Sequence, residues 1–383
     1  MKEAREYSPG LADVPAAESS VCYLDGSVGK LQYRGYPIEV LAQNSTYEEV
    51  AYLLLFGSLP TQAQLTKFDR EELRRSRKLK FRIIDLLKTL PESGHPMDAL
   101  AAAVAALSMF YPGDHVNDEA FRHDCVVRLI AKFPAIVAAW NHIRMGEDPI
   151  KSRPDLGHAA NFLYILNGEE PDPLIAKTMD VALILHAEHQ MNASTFSARV
   201  TGSALADPYA VVSAAVGTLS GPLHGGANEE VLHMLRTIPD GRSVTVRAWA
   251  EDRLARKLKI PGFGHREYKV KDPRATILQK LSEKVFEKHG STPLYDIAVE
   301  LERQMADLVG HKGIYPNVDF YSGILYDKMK IPVDLFTPIF AIARVAGWLA
   351  HLLEQLQNNR IFRPSQVWSG TADREWLPMS DRR

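Results

Sequence analysis

The chain has 383 residues, with 45 Lys or Arg against 47 Asp or Glu and a net charge of −2. That balance lacks the basic field a nucleic acid requires, and a hydrophobic fraction of 46% excludes a disordered chain. The length suits two domains with a large core, and two cysteines, Cys22 and Cys125, suit a reducing compartment rather than a disulfide scaffold.

The first twenty residues mix Lys2, Glu3, Arg5, Glu6, Asp13 and Glu18 without an apolar run, so no secretory leader is expected. The segment Val21–Tyr36 alternates apolar and polar residues around Asp25-Gly26 and Gly29, which predicts a β-hairpin. The period then becomes that of helices. Tyr47–Phe56, Ala63–Leu79, Met97–Phe110, Asp118–Arg144, Leu174–His189 and Pro208–Leu219 read as helices, followed by Asn228–Leu235, Thr245–Leu258, Ala275–Lys288, Leu294–Val309 and Pro338–Leu356. Alternating strand and helix is absent, so the fold class is all-α with a small N-terminal β-hairpin. The longest near-apolar stretch, Ala99 to Tyr111, is too short for a bilayer. A soluble cytoplasmic protein with no membrane and no nucleic-acid partner is expected.

The last helix is predicted to be capped by Thr337 with Pro338 at its first position. It is apolar almost all round, so it belongs in the core or in a subunit interface, and Arg344 in its middle needs an anion or a carboxylate.

Four polar clusters stand out. In HAEHQMNAS, His186 and His189 are three apart and would share a helix face. They suit a metal ion, a set of hydrogen-bond donors, or two satisfied core histidines. In GPLHGGANEE, His224 lies in a Gly-rich turn before an amphipathic helix, whose positive end favours neutral imidazole. In IPGFGHREYKVKDPR, Asp272 can cap the next helix, and Arg274 sits at its N-terminus, where a bound anion would compensate it. In KGIYPNVDFYSG, Asp319 lies among Val318, Phe320 and Tyr321, surroundings that raise a carboxyl pKa and make a better base. Neutral histidines and one carboxylate suggest proton abstraction next to a carbonyl, and three arginines, Arg274, Arg344 and Arg363 just after the last helix, suggest a small polycarboxylate.

These motifs resemble those of the citrate synthases. HAEHQMNAS, GPLHGGANE, PGFGH, DPRA, PNVDFYSG, IARVAGW and FRPS all match, as do DGSVGKLQYRGYPIEVLA and FGSLPT near the start, so the likeness spans Val21 to Arg363. It is closest in length to the short dimeric bacterial and archaeal members. The resemblance implies condensation of acetyl-CoA with oxaloacetate, or of propionyl-CoA in a 2-methylcitrate synthase. It implies His224, His265 and Asp319 as catalytic residues. His189, Asn192, Arg274, Arg344 and Arg363 would bind oxaloacetate, with Arg363 entering the neighbouring subunit's site. Coenzyme A would lie along the loop of Gly262 and Gly264, its phosphates near Lys269 and Lys312; Lys269 stands where better-known members carry Arg. No metal and no tightly bound cofactor are implied, the coenzyme A thioester being a co-substrate, and the zinc reading of His186 and His189 is set aside on that ground. The implied architecture is a homodimer. Each chain would have a large helical domain, residues 1–220 and 326–383, and a small one, residues 221–325, that closes over the site. A non-catalytic helical binding protein is the alternative from another class; the presence of His224, His265 and Asp319 together weighs against it.

Overall fold

The computed structural model describes residues 7–113 and 116–382. The hairpin forms as β1 (Cys22–Asp25) and β2 (Lys30–Tyr33), antiparallel, with Cys22 opposite Tyr33 and Asp25 opposite Lys30. A third strand, β3 (Tyr36–Pro37), folds back onto β2. The turn is closed by Asp25, whose carboxylate accepts from the Ser27 N–H at 3.0 Å and the Ser27 hydroxyl at 2.6 Å. Leu31 and Tyr33, two residues apart on β2, are buried on one face.

Helices follow. After the sheet come α1 (Ile38–Asn44) and α2 (Tyr47–Phe56), the latter opened by a capping box between Thr46 and Glu49. The helix expected over 63–79 is three joined pieces: α3 (Gln62–Leu65), a π-helical run from Thr66 to Leu73, and α4 (Arg74–Ser76). Buried Lys132 donates to the Ser76 and Lys78 carbonyls at its end, 2.6 Å to each, and stops it there. Then come α5 (Phe81–Lys88), α6 (Pro96–Phe110), α7 (Glu119–Arg144), α8 (His158–Asn167) and α9 (Pro173–His186). The chain continues through α10 (Ala193–Ser203), α11 (Pro208–Leu219), α12 (Ala227–Leu235), α13 (Ser243–Ala255) and α14 (Pro273–His289). It ends its helical part with α15 (Pro293–Val309), α16 (Val318–Lys328) and α17 (Phe336–Gln357). Helices α6, α9, α11, α14 and α15 all begin with Pro behind a capping His, Asp or Thr, because Pro supplies the helical φ where an N–H is not needed.

The pattern reading passed over α1, α5, α8, α10 and α16. Helix α10 shows why. Its buried face carries Ser194, Thr195, Arg199, Gly202 and Ser203, so an apolar period is missing although the helix packs against α11 and α17.

Helix α17 is the centre of the core. It packs against α2, α7, α9, α10, α11 and α12, and Trp348 on it is wholly buried. It starts at Phe336 rather than Pro338, because the turn Val333–Leu335 feeds straight into it. Thr337, expected as the cap, therefore lies inside the first turn, where its hydroxyl donates to Glu229 Oε1 at 2.6 Å. Helices α7 and α17 are each long and apolar enough to cross a membrane by length and composition, which corrects the view of 99–111 as the longest apolar segment. Of their apolar stretches 83% and 89% are buried inside the protein, as core helices require. Beside this core, α12 and α14 pack on α16, and α13 packs on α15. The loops before α12, α14 and α16 carry the residues of interest.

Candidate active site

Helix α9 stops at His186, three residues before the expected end, so His186 and His189 do not share a helix face. The end is taken up by Tyr33, whose hydroxyl donates to the Glu188 carbonyl at 2.9 Å and accepts from the Glu188 N–H at 3.3 Å. Gln190 then turns the chain at φ +54°, and Asn192 restarts it by accepting from the Thr195 N–H at 3.1 Å. His186 is a buried structural residue. Its Nδ1 donates to the Ala182 carbonyl at 2.7 Å, and burial pushes its pKa down to about 3. The shared metal ion suggested by spacing thus loses its geometric basis. His189 faces another way: its Nε2 lies 3.3 Å from the Tyr268 hydroxyl and its ring centroid 5.1 Å from that of His265. Burial, and then Arg274, hold its pKa well below the ordinary value. Asn192, expected to touch substrate, spends its side-chain oxygen on the cap and has the Ser194 hydroxyl 2.8 Å from it.

His224 lies in the turn before α12, with Nε2 3.2 Å from the Ser194 N–H and 2.8 Å from the Ser194 hydroxyl. A backbone N–H can only donate, so Nε2 is the acceptor and Nδ1 carries the proton. Trp348 donates to the same hydroxyl at 3.0 Å and ties it to α17. The pKa of His224 falls to about 4, first through burial and then through Arg344. The expected neutral form is present, with burial rather than the helix end as its principal cause.

His265 is held the opposite way round. Its Nδ1 accepts from the Glu267 N–H at 3.0 Å and the Tyr268 N–H at 3.3 Å, which leaves the proton on Nε2. Burial, followed by Arg274, lowers its pKa to about 4. The loop before it is pinned to the one before α16: Gly264 N–H donates to the Tyr315 carbonyl, and Asn317 donates to the Gly262 carbonyl, both at 2.9 Å. Gly262 sits at φ +80°, and a Cβ there would lie 2.7 Å from Val231 and 2.9 Å from Phe320, so only glycine fits. Gly264, at φ +82°, faces open space. The hairpin turn braces this loop from outside, since Gly26 accepts from the Lys269 N–H at 2.9 Å.

Arg274 lies at the N-terminus of α14, as expected, but it is buried and has its own counter-ion. Asp272, the cap of α14, accepts from Arg274 Nε at 3.0 Å and Nη2 at 2.8 Å. Burial opposes the cation, yet Asp272 more than restores it, so the Arg274 pKa lies above the ordinary arginine value. The cation at a helix N-terminus is thus compensated by the capping carboxylate before any ligand arrives. Arg344 is buried on α17, donates from Nε to the His186 carbonyl at 2.7 Å, and stacks 4.7 Å from the Phe340 ring centre. Asp319 is in the first turn of α16, with its N–H capped by Asn317 at 3.0 Å. Burial raises its pKa to about 6 against the pull of Arg274 and Arg344.

His189, His224, His265, Arg274, Arg344 and Asp319 are therefore linked by contacts or by mutual electrostatic influence. Arg363 is not among them. It is exposed and lines a cavity of about 810 Å³ with Ser20, Phe196, Arg199 and Glu354. Lys269 and Lys312 are exposed on the loops around the site, and Lys269 Nζ is 3.1 Å from the Arg266 carbonyl. The sequence reading missed Tyr33, Glu188, Ser194, Tyr268 and Trp348. All five lie inside motifs quoted above, Glu188 and Ser194 in HAEHQMNAS, Tyr268 after PGFGH, Tyr33 in DGSVGKLQYRGY and Trp348 in IARVAGW, but spacing along the chain does not show that these segments meet.

The family model for the citrate synthase C-terminal domain matches residues 10–365. The chain belongs to the citrate synthase family. A citrate synthase of Synechocystis sp. is 56% identical over 100% of this chain and 96% of its own length. One of Acidithiobacillus ferridurans is 52% identical, covering 98% of each. Among solved structures, the citrate synthase of Pyrobaculum aerophilum superposes with a TM-score of 0.90 at 40% identity, over 98% of this chain and 95% of its own. That of Thermoplasma acidophilum, solved as a ternary complex with carboxymethyl coenzyme A and oxaloacetate, gives a TM-score of 0.90 at 34% identity, over 99% of this chain and 100% of its own. The all-α fold is that of the citrate synthases, and the chain is an enzyme of the citrate synthase type, an acyltransferase.

Proposed function

We propose that the chain condenses acetyl-CoA with oxaloacetate and hydrolyses the citryl-CoA so formed, with Asp319, His224 and His265 as catalytic residues. The observation that carries this reading is a set of protonation states. One carboxyl is raised to about 6, and two neutral imidazoles each present a defined N–H beside buried guanidinium groups. Asp319 takes a proton from the methyl carbon of the thioester. His224 Nδ1–H donates to the thioester oxygen and stabilises the enol. His265 Nε2–H polarises the ketone of oxaloacetate. Carbon–carbon bond formation gives citryl-CoA, which water cleaves to citrate and free coenzyme A. His189, Arg274 and Arg344 hold oxaloacetate, and Arg363 of the partner subunit completes the site. Coenzyme A lies along the Gly262–Gly264 loop with Lys269 and Lys312 near its phosphates.

Residues 221–325 form the small domain in this reading, and its closure on the large domain excludes water. A homodimer is favoured by the C-terminal arm. Trp368 and Trp376, 68% and 76% exposed, lie on it with exposed Ile361, Val367 and Met379, a surface suited to clasping a second copy. The reaction belongs to the tricarboxylic acid cycle of the cytoplasm. Thiol release with oxaloacetate tests the reading, run in parallel with acetyl-CoA and propionyl-CoA. Turnover with a higher kcat/KM for acetyl-CoA is expected. A preference for propionyl-CoA would make it a 2-methylcitrate synthase, and thiol release from neither would sink the proposal.

A further inference from the structure

Glu188 is wholly buried, and only part of its carboxylate is bonded: Oε1 lies 3.0 Å from His351 Nε2, and Oε2 has no hydrogen-bond partner. The His351 tautomer follows from its other side. Arg199, itself buried, donates from Nε at 3.1 Å and Nη2 at 2.9 Å to His351 Nδ1, so Nδ1 accepts and Nε2 donates to Glu188. Arg199 is anchored in turn to Gln355 at 3.1 Å and to Glu354. Oε2 lies against α17 at Gly347, where a Cβ would come within 2.3 Å of it. Gly347 is one turn from Arg344 and four residues before His351, so all three share one helix face. Yet Glu188 and Arg344 form no direct ion pair. Glu188, Tyr33, Arg274 and Cys22 are the groups that act most strongly on Arg344, which also influences Asp319, His224 and His189. Burial depresses the guanidinium, and Glu188 is the largest influence opposing it.

We propose that Glu188 is a positioning residue, an internal counter-ion that His351 and Arg199 hold at arm's length from Arg344. It balances the buried cation while leaving the guanidinium free to take a substrate carboxylate, and so sets the affinity for oxaloacetate. This rests on the assignment of Arg344 to the dicarboxylate.

The two ends of the device predict opposite effects. Glu188→Gln keeps the acceptor for His351 and removes the charge, so the dianion meets an uncompensated Arg344. Oxaloacetate Kd by calorimetry should fall roughly tenfold, from one unit charge removed in a medium of intermediate dielectric, with kcat within a few-fold of wild type. The unliganded variant should melt lower than wild type and recover with saturating oxaloacetate. His351→Leu releases the carboxylate to pair directly with Arg344, so Kd should rise roughly tenfold. The double variant should return to the Glu188→Gln value, and His351→Gln, which can donate to Glu188 and accept from Arg199, should stay near wild type. A Kd that is unchanged or raised in Glu188→Gln overturns the proposal, even where His351→Leu does not fold. Arg344→Lys is the control for the underlying assignment: if it binds oxaloacetate like wild type, the role given to Arg344 fails independently of Glu188.

Discussion

Replacing Asp319 by Asn separates two consequences of its burial. Burial holds the carboxyl at about 6, against an ordinary value of 3.8. At about 1.4 kcal/mol per pH unit, that rise costs the folded state about 3 kcal/mol once the group is ionised. The sign follows from proton binding. Below the ordinary value the carboxyl is protonated in both folded and unfolded chains, and nothing is lost. Between it and about 6 the unfolded chain ionises while the folded chain keeps its proton, so stability falls as pH rises. Above about 6 the penalty is complete. Asn has no charge to desolvate, so Asp319→Asn should be more stable than wild type at neutral pH and equal to it at about pH 4. For a chain of this length, about 3 kcal/mol corresponds to roughly 4 °C in Tm. The same change removes the proposed base, so kcat should fall at least ~100-fold while oxaloacetate still binds. In the wild type, kcat/KM should drop about tenfold per pH unit below about 6, because only the ionised carboxylate abstracts a proton. Melts at acid and neutral pH, run beside thiol-release assays, read both effects. Near-normal turnover, or a variant no more stable than wild type at neutral pH, would refute the reasoning.

Gly262→Ala should destabilise the protein by roughly 1–3 kcal/mol, through a left-handed φ and overpacking against Val231 and Phe320, and raise the KM for acetyl-CoA; an unchanged melt and KM would count against it. Asp272→Asn breaks the buried pair with Arg274 and should cost about 3–5 kcal/mol, measurable by denaturant unfolding. Oxaloacetate should bind before the thioester if, as proposed, it bridges Arg344 on α17 and Arg274 on α14; equal calorimetric affinity for a non-reactive acyl-CoA analogue with and without oxaloacetate would contradict this. Refolding a mixture of the inactive variants His224→Ala and Arg363→Ala should restore roughly a quarter of wild-type activity if Arg363 serves the partner's site, and none if it serves its own.

Local chemistry was legible in the chain. The hairpin, most of the long helices and the Asp272-Pro273 start of α14 follow from period and capping, which depend on neighbours a few residues apart. So did the candidates His224, His265, Arg344 and Asp319, each a polar group in glycine-rich or apolar surroundings, and Arg274, a cation at a helix N-terminus. Period failed where burial is polar, as in α10, and where a helix end is set from afar: α9 stops at His186 because Tyr33, from the hairpin, takes the Glu188 backbone. Only the tertiary structure decided the tautomers, since the Ser194 and Glu267 N–H groups reach opposite nitrogens of His224 and His265. It alone joined His351 and Arg199 to Glu188, which lie on separate elements. Protonation state is a property of burial and of charges drawn from several segments at once, and the order of residues along a chain does not contain those distances.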